Sequence, residues 1–135
     1  MSGNERWVVL AFACCQLSIA FAQEKLPKEM VGTGVASAMR GGQLEWSITI
    51  DSQEPDGTLK GKLSWGGRAC RLVDRPFTGT YRDGVLEISA DSQQSTCGIL
   101  KASLKRASTA EATFEGSANG DQAQGPGAAV TLKAR

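Results

Sequence analysis

The sequence predicts an all-β domain, a small antiparallel meander that closes into a barrel of seven or eight strands. Apolar and polar residues alternate in short runs through most of the chain after residue 40. Turn residues separate these runs, and amphipathic helical spacing is hard to find after residue 26. A two-sheet β-sandwich is the alternative that the same pattern allows.

The first hairpin is predicted over residues 44–65. Residues 44–51 and 59–65 each alternate between apolar and polar side chains, so each strand has one buried and one solvated face. Between them lies Pro55–Gly57, a Pro-Asp-Gly sequence that favours a turn. Before this hairpin, the weaker alternation of Val31–Met39 predicts a first strand, and Gln23–Glu29 is expected to be a frayed lead-in or short turn.

A second hairpin is centred on Asp83-Gly84, the preferred pair for a two-residue type I′ turn. Leu86 and Ile88 follow the turn as the inward residues of its second strand. Three further runs alternate in the same way and predict the remaining strands: 100–105, 112–115 and 130–133. Residues 119–127 form a polar, glycine-rich loop between the last two.

Three predicted strands carry a glycine between two inward residues. Glycine inside a strand costs stability, so its repetition indicates a structural role, and a tightly curved sheet needs inward positions without a Cβ. Space for a ligand inside the barrel is the other explanation. This meander of glycine-containing strands is similar in general style to avidin-like and lipocalin-like barrels, a resemblance that implies architecture and assigns no residue roles. The three strands read Leu59-x-Gly61-x-Leu63, Phe77-x-Gly79-x-Tyr81 and Phe114-x-Gly116-x-Ala118.

An export signal is predicted for residues 1–22. Arg6 precedes the mostly apolar run Trp7–Ala22, which ends in Ala20-Phe21-Ala22, a small-x-small pattern typical of signal-peptidase cleavage. The expected organisation is a signal peptide over 1–22, a lead-in with a weak first strand over 23–40, and the barrel over 41–135. High alanine and glycine content and the absence of Asn-x-Ser/Thr fit a bacterial source. We therefore expect a periplasmic protein, with full secretion as the alternative.

Cleavage after Ala22 leaves two cysteines, Cys70 and Cys97, which are predicted to form a disulfide in an exported domain. Both lie at the same distance from the Asp83-Gly84 turn, so an unbroken hairpin would place them opposite each other. Pro76 interrupts that ladder, and strict alternation turns Cys70 outward. A bulge between Asp74 and Phe77 would turn Cys70 inward. Reduction of the disulfide should lower the melting temperature by several degrees.

Composition argues against most chemistry and against charged partners. The chain has no histidine and a formal net charge of +1, and no nucleotide-binding or nucleophile motif is present. Carboxylates lie at predicted turns or on solvated strand faces, and none has the spacing of a calcium loop. We expect no catalytic, metal-binding or cofactor-binding residue, no nucleic-acid partner, and no membrane partner after signal cleavage.

The side chains that could contact a ligand are aromatic and basic. Trp46, Trp65 and Tyr81 fall on apolar faces, where core packing is the simpler interpretation, although they would line the mouth of an open barrel. Lys101, Lys105 and Arg106 form a basic strip, extended by Lys60 and Lys62 if the strands are adjacent.

Two kinds of function fit these features. The first is a non-enzymatic binding module for a small molecule or glycan, which an open interior would favour. The second is an inhibitor or interaction domain that presents a loop or edge strand to another exported protein, which a packed interior and an ordered loop would favour.

Overall fold

The computed structural model describes residues 24–36, 43–67, 70–108, 112–122 and 127–135. The predicted signal peptide over residues 1–22, the end of the predicted first strand and part of the 119–127 loop lie outside the described residues. Nothing among the described residues is a helix long and apolar enough to cross a membrane.

The fold is an eight-stranded antiparallel meander that closes on itself, which confirms the predicted all-β barrel. Each strand pairs with its neighbours in sequence, and the first pairs with the last. The strands are β1 Glu29–Ala36, β2 Gln43–Gln53, β3 Thr58–Gly66, β4 Arg71–Arg82, β5 Val85–Asp91, β6 Ile99–Ser108, β7 Thr113–Gly120 and β8 Ala128–Ala134.

The barrel interior is filled by alternate side chains of the eight strands. These side chains form one buried cluster with Met30, Leu59, Leu86, Phe114 and Leu132 among its fully buried members. Inward and outward residues alternate along β2 and β3, so their polar residues lie on the outer surface, as the alternation predicts.

The predicted type I′ turn is confirmed. Asp83 and Gly84 both have positive φ angles, 53° and 75°, which is the backbone that this turn requires. We call this end of the barrel, which also holds the β2–β3 turn and the start of the described chain, the turn end. The opposite end holds the Cys70–Cys97 disulfide and is called the disulfide end.

The strand glycines lie where neighbouring strands approach closely. A Cβ added to Gly61 would overlap the carbonyl oxygen of Thr49, the residue before its partner Ile50 on β2. The same overlap recurs for each of the glycines that the sequence pattern marks, and also for one in β1. The glycine and the overlapped residue are Gly61 with Thr49, Gly79 with Glu87, Gly116 with Ser103, and Gly32 with Thr131.

Aromatic side chains cover two of these glycines. Trp46 is opposite Gly32 across β1 and β2, and Phe77 is opposite Gly61 across β3 and β4. A Cβ on Gly61 would lie 2.8 Å from Cε1 of Phe77. Neighbouring backbone and rings therefore occupy the space beside these glycines, which supports tight sheet curvature over a ligand cavity as their explanation.

The register of β4 differs from the strict alternation that the sequence suggested. A bulge at Val73 and Asp74 faces Ser64, earlier in the strand than the expected position between Asp74 and Phe77. Asp74 has a φ of 49°, and its N–H donates to Ser64 Oγ at 3.0 Å. The bulge turns Cys70 inward and leaves Val73 exposed.

Candidate functional site

The two predicted ligand-contacting tryptophans pack inside the barrel. Trp46 and Trp65 are 3% and 5% exposed, and their rings meet edge to face with centroids 5.5 Å apart. The indole Nε1 of Trp46 donates to the carbonyl of Thr131 at 2.9 Å, which satisfies its polar atom. Both side chains thus have the core role that the sequence favoured.

Tyr81 lies at the turn end, beneath the start of the described chain. Its ring contacts Phe114 edge to face, and its hydroxyl donates to Glu24 Oε2 at 2.6 Å. Glu24 also forms an ion pair with Arg106, so three polar groups meet over the end of the core. Leu26 is buried beside them, and the lead-in therefore covers this barrel end instead of fraying.

The burial of Tyr81 predicts that its phenol titrates at a more alkaline pH in the folded protein than in the unfolded chain. Burial raises the pKa of the Tyr81 phenol above its ordinary value of 10.0. The phenol of Tyr81 therefore stays protonated to a higher pH in the folded state than in the unfolded chain. Its contribution to stability is complete below the unfolded pKa and is lost as the pH rises through the folded pKa.

The chain has one tyrosine, so phenolate absorbance in the near ultraviolet reports Tyr81 alone. We expect a single titration in the folded protein with a midpoint above that in denaturant, and no phenolate signal from Tyr81→Phe. A folded midpoint equal to or below the denatured one would contradict the burial of this hydroxyl.

The predicted basic residues do not form one continuous strip. Lys101 and Lys105 are exposed on the outer face of β6, whereas Arg106 turns toward the turn end and pairs with Glu24. Lys60 and Lys62 belong to β3, which β4 and β5 separate from β6.

The β4–β5 ladder ends before β4 does. Their pairing stops at Phe77 and Ala90, while β4 continues to Arg71. Gln94 bridges this gap with its side-chain amide. Its Oε1 accepts from the N–H of Arg71 at 3.0 Å, and its Nε2 donates to the Arg71 carbonyl at 2.5 Å. The side chain of Gln94 thus replaces the missing partner strand.

The disulfide lies beside this bridge and confirms the predicted Cys70–Cys97 bond. The equal spacing from the turn was not the reason for it, because the bulge and the early end of the ladder break the hairpin between them. A disulfide fits an oxidising, exported location.

The segment Ser92–Gly98, here called the pinned loop, joins β5 to β6 at the disulfide end. The hydroxyl of Ser92 donates to the carbonyl of Gly98 at 2.6 Å and accepts from the N–H of Gln94 at 3.1 Å. The N–H groups of Cys97 and Gly98 both donate to the Gln94 carbonyl. Together with the disulfide, these bonds hold the loop in one conformation.

Flanking residues hold both ends of the pinned loop. A carboxylate oxygen of Asp91 accepts from the N–H of Gln93 at 2.9 Å, and one of Asp121 accepts from the N–H of Ile99 at 2.9 Å. Gln93, with a φ of 58°, and Ser95 have exposed side chains. The loop therefore combines a fixed backbone with outward polar side chains.

A second feature is a concave groove of about 960 Å³ on the outer surface of β4–β7. Under it, the small inward residues Ala102 and Ala118 pair across β6 and β7, whereas on β5 the larger Ile88 separates Ala102 from Gly79 of β4. Because Ala102 and Ala118 need little room inside, β6 and β7 can bend toward the barrel axis, which makes the outer surface concave. Many of its lining side chains are short and polar, and Glu87, Lys101 and Asp121 are charged. The short polar ones are Thr78, Thr80, Ser89, Ser103, Ser117 and Asn119.

The described residues hold no group of three or more Cys, Asp or Glu side chains arranged for a metal ion. Compared with known proteins, the chain matches no protein-family model, no curated protein and no solved structure.

Sequence reasoning did not find Glu24, Gln53 or Gln94 as positioning residues. Gln53 accepts from the N–H of Leu26 at 2.9 Å and donates to the Glu24 carbonyl at 2.8 Å. Both glutamines act on a segment distant in sequence, and no local pattern signals such a contact. The small residues Ala102 and Ala118, which pair across β6 and β7, were the available signal for the groove.

Proposed function

We propose that this chain is an exported, non-enzymatic protein-interaction domain that binds another exported protein through the pinned loop. One form of this function that a rigid loop fits is inhibition of an enzyme by binding of the loop at its active-site cleft. The observation that carries the proposal is the fixed conformation of Ser92–Gly98, with Gln93 and Ser95 directed to solvent.

A fixed loop favours binding because less conformational entropy is lost when the complex forms. Loops on rigid scaffolds often carry function, and this one is attached to a packed barrel by a disulfide and by side-chain hydrogen bonds. Ile99 lies directly after the loop and is 37% exposed, so it supplies an apolar contact next to the polar ones.

A small ligand inside the barrel has less support. The inward side chains pack into one buried cluster, and the aromatic residues that would face such a ligand belong to it. Each strand has two neighbouring strands, and the part of β4 that β5 does not reach is bridged at Arg71 by Gln94 of the pinned loop. The loop therefore supports binding to a partner protein better than an edge strand does.

The test compares partner capture by a loop variant and by a control variant. The loop variant combines Gln93→Gly, which suits the positive φ, with Ser95→Arg, which adds bulk and charge at an exposed turn position. The control variant is Lys62→Ala, on the outer face of β3 and far from the loop. Each is incubated with the exported-protein fraction of the producing cell.

We expect the wild type and the control to capture the same protein and the loop variant to lose it. With the purified partner, the affinity of the loop variant should fall by about tenfold or more, because central contacts dominate interfaces. Equal affinity of the loop variant and the wild type for every captured protein would overturn the proposal.

A further inference from the structure

The groove on β4–β7 has the chemistry of a second, separate binding site, and the pinned loop contributes no lining residue to it. Two rows of outward side chains cross its floor. The first row is Thr80, Glu87, Ser103 and Ser117, and the second is Thr78, Ser89, Lys101 and Asn119.

Neighbours in a row lie on adjacent strands, so their backbones are about 5 Å apart. All eight positions carry a hydroxyl, an amide or a charged group, which lies within two or three bonds of the main chain except in the longer Glu87 and Lys101. The groove therefore offers a regular array of hydrogen-bonding groups across four strands, roughly 15 Å wide.

Two charged side chains of the groove, Glu87 and Lys101, have no partner among the described residues. Glu87 and Lys101 lie diagonally across β5 and β6, and within the described part of the chain neither side chain makes a hydrogen bond or an ion pair. By contrast, Arg106 is paired with Glu24 at the turn end. Glu87 and Lys101 are thus free to form charge-assisted hydrogen bonds with a ligand.

We propose that this groove binds a neutral carbohydrate chain. Each sugar hydroxyl both donates and accepts, which matches the mixture of hydroxyl, amide, carboxylate and ammonium groups on the floor. The carboxylate of Glu87 accepts from neighbouring sugar hydroxyls, and the ammonium of Lys101 donates to hydroxyl or ring oxygens. Two carboxylates, Glu87 and Asp121, against one ammonium disfavour a polyanionic ligand.

An extended peptide fits this surface less well. Peptides that bind sheets usually add a strand to a free edge, and the strand segments that carry the two rows of the groove pair with one another. Alternate side chains of a bound peptide also need pockets, whereas the floor carries small polar residues. The groove is open and has no aromatic lining residue, so we expect dissociation constants in the millimolar range.

The test is an NMR titration of the full exported chain, labelled with nitrogen-15. The probes are cellotriose, maltotriose and triacetylchitotriose, with an uncharged acetylated pentapeptide of serine and alanine in a parallel series. We expect at least one trisaccharide to shift the amide signals of Ser89, Lys101 and Ser103, and the peptide to shift none of them.

Two conservative variants examine the charged groups. Glu87→Gln and Lys101→Gln should each weaken trisaccharide binding by about tenfold, the scale of one charge-assisted hydrogen bond. Glu45→Gln, on the outer face of β2, is the matched control and should bind as the wild type does. The loop variant Gln93→Gly/Ser95→Arg should also bind the sugar normally, which separates this site from the pinned loop.

The carbohydrate assignment is overturned if no trisaccharide shifts the groove signals, if the shifts fall elsewhere, or if the peptide alone produces them. It is also overturned if Glu87→Gln and Lys101→Gln bind as tightly as Glu45→Gln.

Discussion

Replacing Gly116 by alanine should strongly destabilise the barrel. The new Cβ would overlap the carbonyl oxygen of Ser103 and would also lie 2.7 Å from Cα of Leu104. Both atoms belong to the backbone of β6, so no side-chain rotation can relieve the overlap. The two strands must separate, which lengthens the hydrogen bonds between them.

Overpacking of this kind typically costs about 1–3 kcal/mol and more where the neighbour cannot move. We expect Gly116→Ala to lose roughly 3 kcal/mol of the free energy of unfolding, and Gly61→Ala and Gly32→Ala to behave similarly. Urea unfolding followed by tryptophan fluorescence measures the loss, since Trp46 and Trp65 report on the core.

Gly34→Ala is the matched control for this prediction. Gly34 is another strand glycine, but its added Cβ would lie 3.1 Å from side-chain atoms of Leu44 and Val130. These side chains can shift by a few tenths of an ångström, so the cost should stay below about 1 kcal/mol. Equal losses for Gly34→Ala and Gly116→Ala would show that close backbone approach is not what selects glycine in these strands.

Local sequence signals account for the architecture well. Strict alternation marks which face of β2 and β3 is buried, and Asp83-Gly84 specifies a turn that both residues can adopt. These signals act between residues close in sequence, so they can be recognised without knowledge of the tertiary structure. Barrel closure was also predictable, because strand glycines recur where a curved sheet needs them.

The bulge in β4 was less predictable because it depends on a partner from another strand. Asp74 adopts a positive φ, and Ser64 of β3 binds its N–H. Pro76 suggested an irregularity in the hairpin, and the β4–β5 ladder does end beside it at Phe77, whereas the β3–β4 ladder continues through it with Pro76 paired to Lys62. The position of such a bulge follows from which residue can satisfy the displaced backbone groups.

The candidate sites were still harder to predict. Gln94 connects the pinned loop to Arg71, 23 residues away in sequence, and no motif in the loop sequence indicates this contact. The groove depends on the register of four strands, which decides that Ser89, Lys101 and Asn119 form one row. Sequence patterns indicate which residues of a strand face outward. Prediction of a surface site also requires the strand register, which decides which outward residues are neighbours.

Removing the disulfide should be the second large loss of stability. Cys70 and Cys97 are separated by 27 positions, and their bond closes a loop that contains the whole β4–β5 hairpin. In the chain-entropy account, a cross-link of this length stabilises the folded state by about 3–4 kcal/mol. For a small domain with a typical stability of about 5–15 kcal/mol, that is a major share.

We expect Cys70→Ala/Cys97→Ala, and the wild type in reducing agent, to melt on the order of 10 °C below the oxidised protein, as scanning calorimetry would measure. The double variant should not respond to reductant.

Loss of the bond also leaves Gln94 as the main bridge between the pinned loop and β4, because the β4–β5 ladder ends at Phe77. Gln94→Ala alone should therefore cost less than the disulfide in the oxidised protein, and more when it is added to the double alanine variant than when the bond is intact. Additive losses of unfolding free energy would contradict this coupling, because they would mean that the disulfide and the Gln94 bridge stabilise the loop independently.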